Sequence, residues 1–352
     1  MKLSNLIFIA QLIGIVVVIW LMDLGELTRS LKSIKFDYIV LAFSLELAAF
    51  LVWAQKWKFI VDKFEKVKFT TIFLCLMAGN YLRTNEIRAR SLGGFGRAGY
   101  LQKFTHNRTL PDCYATIVMD QTSNSFVFFP LAMFSMLFVF LFLNIPWWLS
   151  LIMGVIALIV FLMILAAFFS RRKINETAFV RFLRPKLQRI YNVSAFKILR
   201  DRFDSYGKFE ELIISNLAEF VKTYKQILKD RSTFARDVGL SVLMFALMYS
   251  KDYVLVQGAG YDISVLHLIV GLSITFWLTA VIPVPTGPGF KELVMITIFT
   301  MVGVPFTTAV IVTLIHWAIY LSFVVGIAYL AVILLRIINT GDNQHQKAYI
   351  VL

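Results

Sequence analysis

Long apolar runs alternate with basic, polar stretches along the whole chain. Most of the apolar runs approach the length of about 20 residues that a helix needs to cross a bilayer. Two others, Phe69–Leu82 and Leu293–Val304, are too short for this. The pattern therefore predicts an all-α, polytopic integral membrane protein, with about seven long transmembrane helices and two short or re-entrant half-helices in two pseudo-repeated halves. The long candidates are Leu6–Leu24, Tyr38–Trp53, Cys113–Leu143, Trp147–Phe169, Val238–Val256, Ile263–Ile282 and Thr307–Leu335.

The distribution of charge divides the chain and orients it. Because cytoplasmic loops are enriched in Lys and Arg, we expect the strongly basic region 170–236 to be cytoplasmic. The basic stretches Lys56–Lys68 and Arg83–Arg108 then lie on the same side, so Phe69–Leu82 is expected to dip in and return. For Leu293–Val304 the sequence leaves a half-helix and a crossing open. The predicted segments are a first membrane half, 1–169, with a Gly/Arg motif at 79–101; a basic helical connector, 170–236; a second half, 237–337, with a Pro/Gly break at 283–292; and a polar tail, 338–352.

Composition supports a membrane protein and excludes several other classes. Of the 352 residues 59% are hydrophobic and 16% are charged, where a soluble domain has about 25% charged residues. The net charge of +14 lies in loops between spans, so it indicates topology and anionic lipid head groups, and we expect no nucleic-acid partner. Cys75 and Cys113 have no metal or redox spacing. We find no nucleotide loop and no catalytic triad, and expect no metal, no cofactor, no catalytic residue and no enzyme activity.

The segment Ile282–Glu292 carries three prolines and two glycines between apolar runs. Proline removes backbone donors and glycine adopts positive φ, so the helix must break here. In hydrocarbon such a break is tolerated only where it packs in protein or lines a wet cavity. One interpretation is a plain loop with Glu292 as an N-terminal charge. The other is a broken-helix binding site of the transporter kind, with Pro285, Gly287, Gly289 and Glu292 as binding residues.

The first half has an interrupted segment of its own, residues 78–101, with four arginines and five glycines. Arginine binds phosphate through a planar fork, and glycine lets backbone amides approach an anion. The alternative is a positively charged inner loop that obeys the topology rule. The candidate substrate-binding residues are Asn80, Arg83, Arg88, Arg90, Gly93, Gly94 and Arg97.

Ionisable residues also occur inside the predicted spans. Glu46 lies mid-span, where it either lines a cavity with a coupling role or is a protonated, locally hydrogen-bonded acid. Asp120 either lines a pocket or makes interhelical hydrogen bonds. Lys251 and Asp252 lie toward the end of their span, and we interpret them as snorkelling anchors. His316 is alone in its span and is interpreted as a satisfied core histidine.

These motifs together resemble one known family. The resemblance rests on Asn80, Arg90-x-x-Gly93-Gly94-x-x-Arg97, Pro283-x-Pro285-x-Gly287-x-Gly289-x-x-Glu292 and Gly303-Val304-Pro305. Over nearly the whole chain the sequence resembles the lysylphosphatidylglycerol synthase transmembrane-region family. The resemblance implies lipid translocation or lipid-linked glycan handling in a bacterial or archaeal plasma membrane. The family usually has an acid after the glycine pair, where Phe95 and Gly96 stand. Its next helix often carries an acidic-Arg pair and an Asp one turn on, whereas Met119-Asp120-Gln121-x-x-Asn124 keeps one acid and loses the cation. The aminoacyl-transferase domain of the synthases is missing here, so lysyl transfer is not expected.

Three functions follow from these residues and this resemblance. The first is a flippase-like transporter of an anionic lipid or a polyprenyl-phosphate-linked glycan, in which the arginines hold the phosphate and the Pro/Gly break forms the opposite wall of a cavity. The second is a non-transporting membrane scaffold that holds a glycosyltransferase or lipid-modifying synthase through the basic connector. The third is an intramembrane transferase that uses Glu46 with Glu292. Membrane lipids are the expected partners of the first.

Overall fold

The computed structural model describes residues 34–85, 90–106, 108–142, 205–281 and 290–342, with isolated positions elsewhere. In these segments every regular element is a helix, which confirms the all-α class. The predicted span Leu6–Leu24 and nearly all of Trp147–Phe169 lie outside the described residues. The helices are α1 (Phe36–Val61), α2 (Phe69–Asn85), α3 (Arg90–Gln102), α4 (Leu110–Phe142), α5 (Tyr206–Lys229), α6 (Arg231–Gly258), α7 (Val265–Val281), α8 (Phe290–Met301), α9 (Phe306–Leu321) and α10 (Ala328–Asp342).

Four helical stretches in the described part of the chain are long and apolar enough to cross a membrane. They are α1, α4, α6 and the continuous rod Phe306–Ile338, which contains α9 and most of α10. The predicted count of seven long spans is therefore not confirmed. The predicted span Ile263–Ile282 is the shorter helix α7, of 17 residues. The last predicted span, Thr307–Leu335, contains a π-helical turn at Ser322–Ile327 that the apolar pattern did not reveal.

Helix α6 begins earlier than the hydrophobic pattern predicts, inside the predicted connector. The side chain of Asp230 caps it by accepting a hydrogen bond of 3.0 Å from the amide of Thr233. The ammonium group of Lys63 lies 2.6 Å from the Asp230 carboxylate. The Lys63 contact, followed by the Thr233 amide, holds the pKa of Asp230 well below its usual range. The cap therefore stays ionised at neutral pH and ties the start of α6 to the loop after α1.

The central pair of helices is α1 and α6, which share the most extensive helix–helix contact of the described fold. They run antiparallel, because Tyr38 lies against Gly258 at one end and Lys56 reaches Ser241 at the other. At position 258 a Cβ atom would lie 2.7 Å from the Cβ of Tyr38. Only glycine allows this close approach, so the packing of the pair depends on that residue.

A helical hairpin, α2–α3, follows α1. Its helices have 17 and 13 residues, so they are about 26 Å and about 20 Å long. The loop after the hairpin returns to the loop before it, because the His106 amide donates to Glu65 (2.9 Å) and Arg108 donates to the carbonyl of Phe64 (3.1 Å). The short segment Phe69–Leu82 thus belongs to a hairpin that starts and ends at one end of the molecule. This agrees with the predicted re-entrant geometry.

A second hairpin, α7–α8, follows α6. Its helices have 17 and 12 residues. The hydroxyl of Tyr261, before the hairpin, donates a 2.7 Å hydrogen bond to the carbonyl of Gly303, after it. Gly303 has a φ of +97°, a conformation that suits glycine and ends α8. Helix α8 thus returns to the end where α7 began, and its 12 residues are too few to cross a bilayer, which favours the half-helix of the two alternatives for Leu293–Val304.

The two halves have the same order of elements in opposite orientation. Each hairpin follows the C-terminal end of its own long helix, and α1 and α6 are antiparallel, so the hairpins start from opposite ends of the molecule. The packing follows the same relation: α2 contacts α10 and α7 contacts α4, while α3 packs on α4 and α8 on α9. This is the arrangement of an inverted repeat, which is common in membrane transporters.

Candidate functional site

The buried ammonium group of Lys56 is the centre of the first polar site. Its Nζ lies 2.9 Å from Oδ1 of Asp120 and 4.0 Å from Oδ2 of Asp237. It also donates hydrogen bonds to Asn124 (2.6 Å) and Ser241 (3.0 Å). Lys56 and Asp120 are fully buried, and Asp237 is 1% exposed. One cation from α1 thus holds α4 and α6 together, and we call these residues, with Arg97, the Lys56 cluster.

Arg97 brings the first hairpin into this cluster. It lies on α3 and is 4% exposed. Its Nη1 lies 3.8 Å from Oδ2 of Asp120, and its guanidinium carbon lies 4.9 Å from the ring centre of Trp53. The indole of Trp53 also donates a 2.9 Å hydrogen bond to the same carboxylate. Asp120 therefore makes an interhelical ion pair, and the arginine is held by charge and by an aromatic face.

A second buried chain of charges lies at the other end of the α1–α6 pair. Lys251 Nζ is 3.0 Å from Oε2 of Glu46 and 3.7 Å from Oδ1 of Asp252. Asp252 Oδ1 lies 2.6 Å from Nδ1 of His316, and Nε2 of His316 lies 3.0 Å from Nζ of Lys291. These five residues, the Lys251 cluster, join α1, α6, α9 and α8. Ten residues of α1 separate Glu46 from Lys56, so the clusters are about 15 Å apart along that helix.

Lys291 is the partly exposed end of the Lys251 cluster. It lies in the first turn of α8, with the buried carboxyl group of Glu292 next to it. Its ammonium group lies 5.1 Å from the ring centre of Phe276 and 5.4 Å from that of Tyr320. A helix N-terminus favours an anion and disfavours a cation, so Glu292 is well placed while Lys291 depends on its aromatic and imidazole neighbours.

The two clusters correspond to one another under the inverted repeat. Each is built on a buried lysine of a long helix, Lys56 on α1 and Lys251 on α6, and each lysine contacts a carboxylate of the other half. Each also receives a cation from the return helix of its hairpin, Arg97 or Lys291. The two clusters differ in one titratable residue: Asp120 of α4 in the Lys56 cluster corresponds to His316 of α9 in the Lys251 cluster.

The structure locates only part of the predicted binding set. Asn80 is buried in α2. Gly94 lies within α3, where a Cβ atom would lie 3.3 Å from the Tyr114 ring, so its position favours close helix packing over an anion-binding loop. Gly93 is in the same helix, and Glu292 is in the first turn of α8 as expected. For the other predicted binding residues, either the whole residue or its side chain lies outside the described part of the chain. They are Arg83, Arg88, Arg90, Pro285, Gly287 and Gly289.

Two interpretations from the sequence need correction. Lys251 and Asp252 are not snorkelling anchors, since both are buried and ion-paired inside the bundle. Lys56 was assigned to a cytoplasmic loop, yet it is the centre of a cluster. The signal was available in the spacing: Glu46, Trp53 and Lys56 recur at intervals of seven and three residues, which places them on one helix face.

Comparison with known proteins identifies the family. The family model described as "Lysylphosphatidylglycerol synthase TM region" matches residues 7–328 of this chain. The chain belongs to that family. It is thus an integral membrane protein, and both polar clusters lie within the matched residues.

The chain is similar to archaeal membrane proteins over most of its length. The protein PH1989 of Pyrococcus horikoshii, named a UPF0104 membrane protein, is 22% identical over 313 residues, which are 87% of this chain and 90% of that protein. A UPF0104 membrane protein of Methanothermobacter thermautotrophicus is 22% identical, over 85% of this chain and 86% of its own. MJ1595 of Methanocaldococcus jannaschii is 22% identical over 95% of each. No solved structure matches the chain.

Proposed function

We propose that this family member is a flippase-like carrier of the plasma membrane, without a catalytic step of its own, that moves an anionic lipid or a polyprenyl-phosphate-linked glycan. The observation that carries this proposal is the pair of oppositely oriented hairpins, α2–α3 and α7–α8, each too short at its return helix to cross a bilayer. Inverted repeats with half-helices that begin inside the membrane are the usual construction of transporter binding sites.

The charges on the return helices support an anionic cargo. Arg97 and Lys291 each extend from a return helix toward a buried cluster, and each lies against an aromatic ring. In the sequence, Arg83, Arg88 and Arg90 add basic charge close to Arg97. Of the chemical groups in lipid head groups, phosphate is the one that such cations bind best. A neutral head group offers no such charge, and in a zwitterionic head group an ammonium group offsets the charge of the phosphate.

In this proposal Glu292 limits the positive charge at the phosphate-binding end of α8. Its carboxyl group is buried at the N-terminus of α8, beside the cation that would meet the phosphate. Replacing it by glutamine keeps the size and hydrogen bonding of the side chain but removes the charge. The local positive charge then rises, the phosphate is held more tightly, and its release slows.

We therefore expect Glu292→Gln to lower the initial rate of lipid movement about tenfold, where a factor of ten corresponds to about 1.4 kcal/mol. The measurement uses proteoliposomes with labelled phosphatidylglycerol or labelled polyprenyl phosphate. Glu211→Gln is the matched control, because Glu211 is an exposed residue of α5, outside the hairpins. Its rate should equal that of the wild type. A normal rate in Glu292→Gln would contradict the role given to this carboxyl group, and no protein-dependent movement by the wild type would favour the scaffold.

A further inference from the structure

We propose that the carrier is coupled to protons: the pair His316–Lys291 takes up a proton when an anionic head group binds Lys291, and lipid and proton cross together. This inference rests on the carrier function proposed above and adds its energy source. It starts from the one hydrogen bond in the Lys251 cluster that joins two basic groups, the 3.0 Å contact between Lys291 Nζ and His316 Nε2.

That contact fixes the number of protons on the pair. A hydrogen bond between two nitrogens needs one donor and one acceptor, so Nζ and Nε2 cannot both present protons to each other. His316 Nδ1 faces the Asp252 carboxylate at 2.6 Å, and it is therefore the protonated ring nitrogen. With the ammonium form of Lys291 as donor, the imidazole is neutral and its Nε2 lone pair accepts. The pair then carries a single positive charge.

A bound phosphate changes this balance. When the ammonium group of Lys291 turns from His316 to an anionic head group, the Nε2 lone pair loses its donor. A proton from water can then bond to Nε2, which gives an imidazolium beside Asp252 and leaves hydroxide in the solution. The negative head group offsets the added positive charge, so head group and proton bind together. Release reverses both steps: Nε2 gives its proton back to water, and Lys291 returns to Nε2.

The groups around His316 suit this exchange. Asp252 stabilises an imidazolium directly, and Lys251 opposes it but is itself compensated by Glu46. The neighbouring carboxyl group of Glu292 lies on the same helix as Lys291 and favours added positive charge. The charged groups that act on His316 are Asp252 and Lys251 of α6 and Lys291 of α8. Glu292 of α8 and Glu46 of α1 act on Lys291.

The corresponding cluster of the other half contains no histidine among its described contacts. Around Lys56 the titratable groups are the carboxylates Asp120 and Asp237, with the guanidinium of Arg97, which does not exchange its proton near neutral pH. Histidine is the residue whose unperturbed pKa lies in the physiological range. The proposed exchange of protons is therefore assigned to the Lys251 cluster, which contains His316.

The test is the distribution of labelled phosphatidylglycerol between the two leaflets of proteoliposomes under an imposed pH gradient. The membrane potential is held at zero with valinomycin and equal potassium, and protein-free vesicles give the background. One proton per lipid predicts that a gradient of one pH unit shifts the steady-state distribution about tenfold toward the alkaline side. His316→Gln keeps a polar amide in place but cannot carry the proton. With this variant, the distribution of the labelled lipid should not change with the pH gradient. His267→Gln makes the same chemical change outside the cluster and should respond like the wild type.

The outcomes separate the two proposals. If the wild type moves lipid but the distribution of lipid between the leaflets does not depend on the pH gradient, the proton coupling is overturned and the carrier function is retained. No protein-dependent movement of lipid by the wild type overturns both. A response to the gradient that persists in His316→Gln also overturns the assignment to this residue. Folding of each variant is checked by its gel-filtration profile and thermal unfolding in detergent.

A second measurement does not depend on transport. Purified protein in weakly buffered detergent, with a pH indicator, is mixed with dihexanoyl phosphatidylglycerol or, as a control, dihexanoyl phosphatidylcholine. The wild type should take up about one proton per bound anionic lipid, and His316→Gln should take up none. Binding of the anionic lipid to the wild type without proton uptake would overturn the coupling even if vesicles showed transport.

Discussion

Replacing Lys251 by methionine is expected to lower the free energy of unfolding by about 3–5 kcal/mol. The substitution keeps the apolar stem of the side chain and removes only its charge. Glu46 and Asp252, 3% and 0% exposed, then face each other's charge in the bundle interior without the ammonium group between them. Uncompensated buried carboxylates are among the most destabilising changes that a single substitution can make. The loss is measured by denaturant or thermal unfolding in detergent micelles.

A second substitution serves as the control for this result. Adding Glu46→Gln to Lys251→Met removes one of the two uncompensated carboxylates and should restore part of the lost stability. If charge were unimportant, the double variant would be no more stable than Lys251→Met alone. A loss below about 1 kcal/mol in Lys251→Met would contradict the buried ion network, because exposed pairs contribute no more than that.

Lys56→Met is expected to have an effect of the same size at the other end of the α1–α6 pair, about 3–5 kcal/mol. Its ammonium group is the common partner of Asp120 and Asp237 and reaches Ser241 on α6. Without it, α1, α4 and α6 lose the one cation that joins all three in the described structure. The same unfolding assay in micelles measures the loss, and gel filtration reports whether the bundle stays monodisperse.

The chain provides a matched control two residues further on. Lys58 belongs to the same helix but pairs with Asp62 at a partly exposed site. Exposed pairs at this spacing contribute about 0.3–0.5 kcal/mol, so Lys58→Met should be close to neutral. Equal effects of Lys56→Met and Lys58→Met would mean that the Lys56 cluster contributes nothing beyond an ordinary surface pair.

Local features of the fold could be predicted because they are encoded within a few residues. The segment Phe69–Leu82 was predicted as a short returning helix from its length and the basic stretches around it, and α2 begins at Phe69. The Pro/Gly break placed Glu292 in the first turn of a half-helix, where α8 has it. In both cases apolar length and helix-breaking residues determine the outcome.

The polar clusters could not be predicted in the same way, because their contacts depend on packing between distant helices. Lys56 donates to Ser241, a residue 185 positions away, and His316 contacts Asp252 across 64 positions. A sequence shows that Lys56, Glu46 and Trp53 share a face of α1, but it does not show which helix that face meets. The antiparallel pairing of α1 with α6 supplies this information.

In the proposed carrier, the inverted arrangement would give the two clusters a common mechanical role. Each couples a long helix to the return helix of its hairpin, through Arg97 at one end and Lys291 at the other. A cargo that draws either cation away would loosen the hairpin at that end only. Alternate loosening of the two ends is what movement of a lipid head group between leaflets requires.

The measurement that tests the central claim most directly is head-group translocation by the purified wild-type protein. Proteoliposomes receive labelled phosphatidylglycerol, labelled polyprenyl phosphate or labelled phosphatidylcholine in one leaflet, and the label that reaches the other leaflet is followed over time. The account predicts protein-dependent movement of at least one of the two anionic lipids, with phosphatidylcholine close to the protein-free background. Movement of all three at equal rates, or of none above background, would contradict a carrier for anionic lipids.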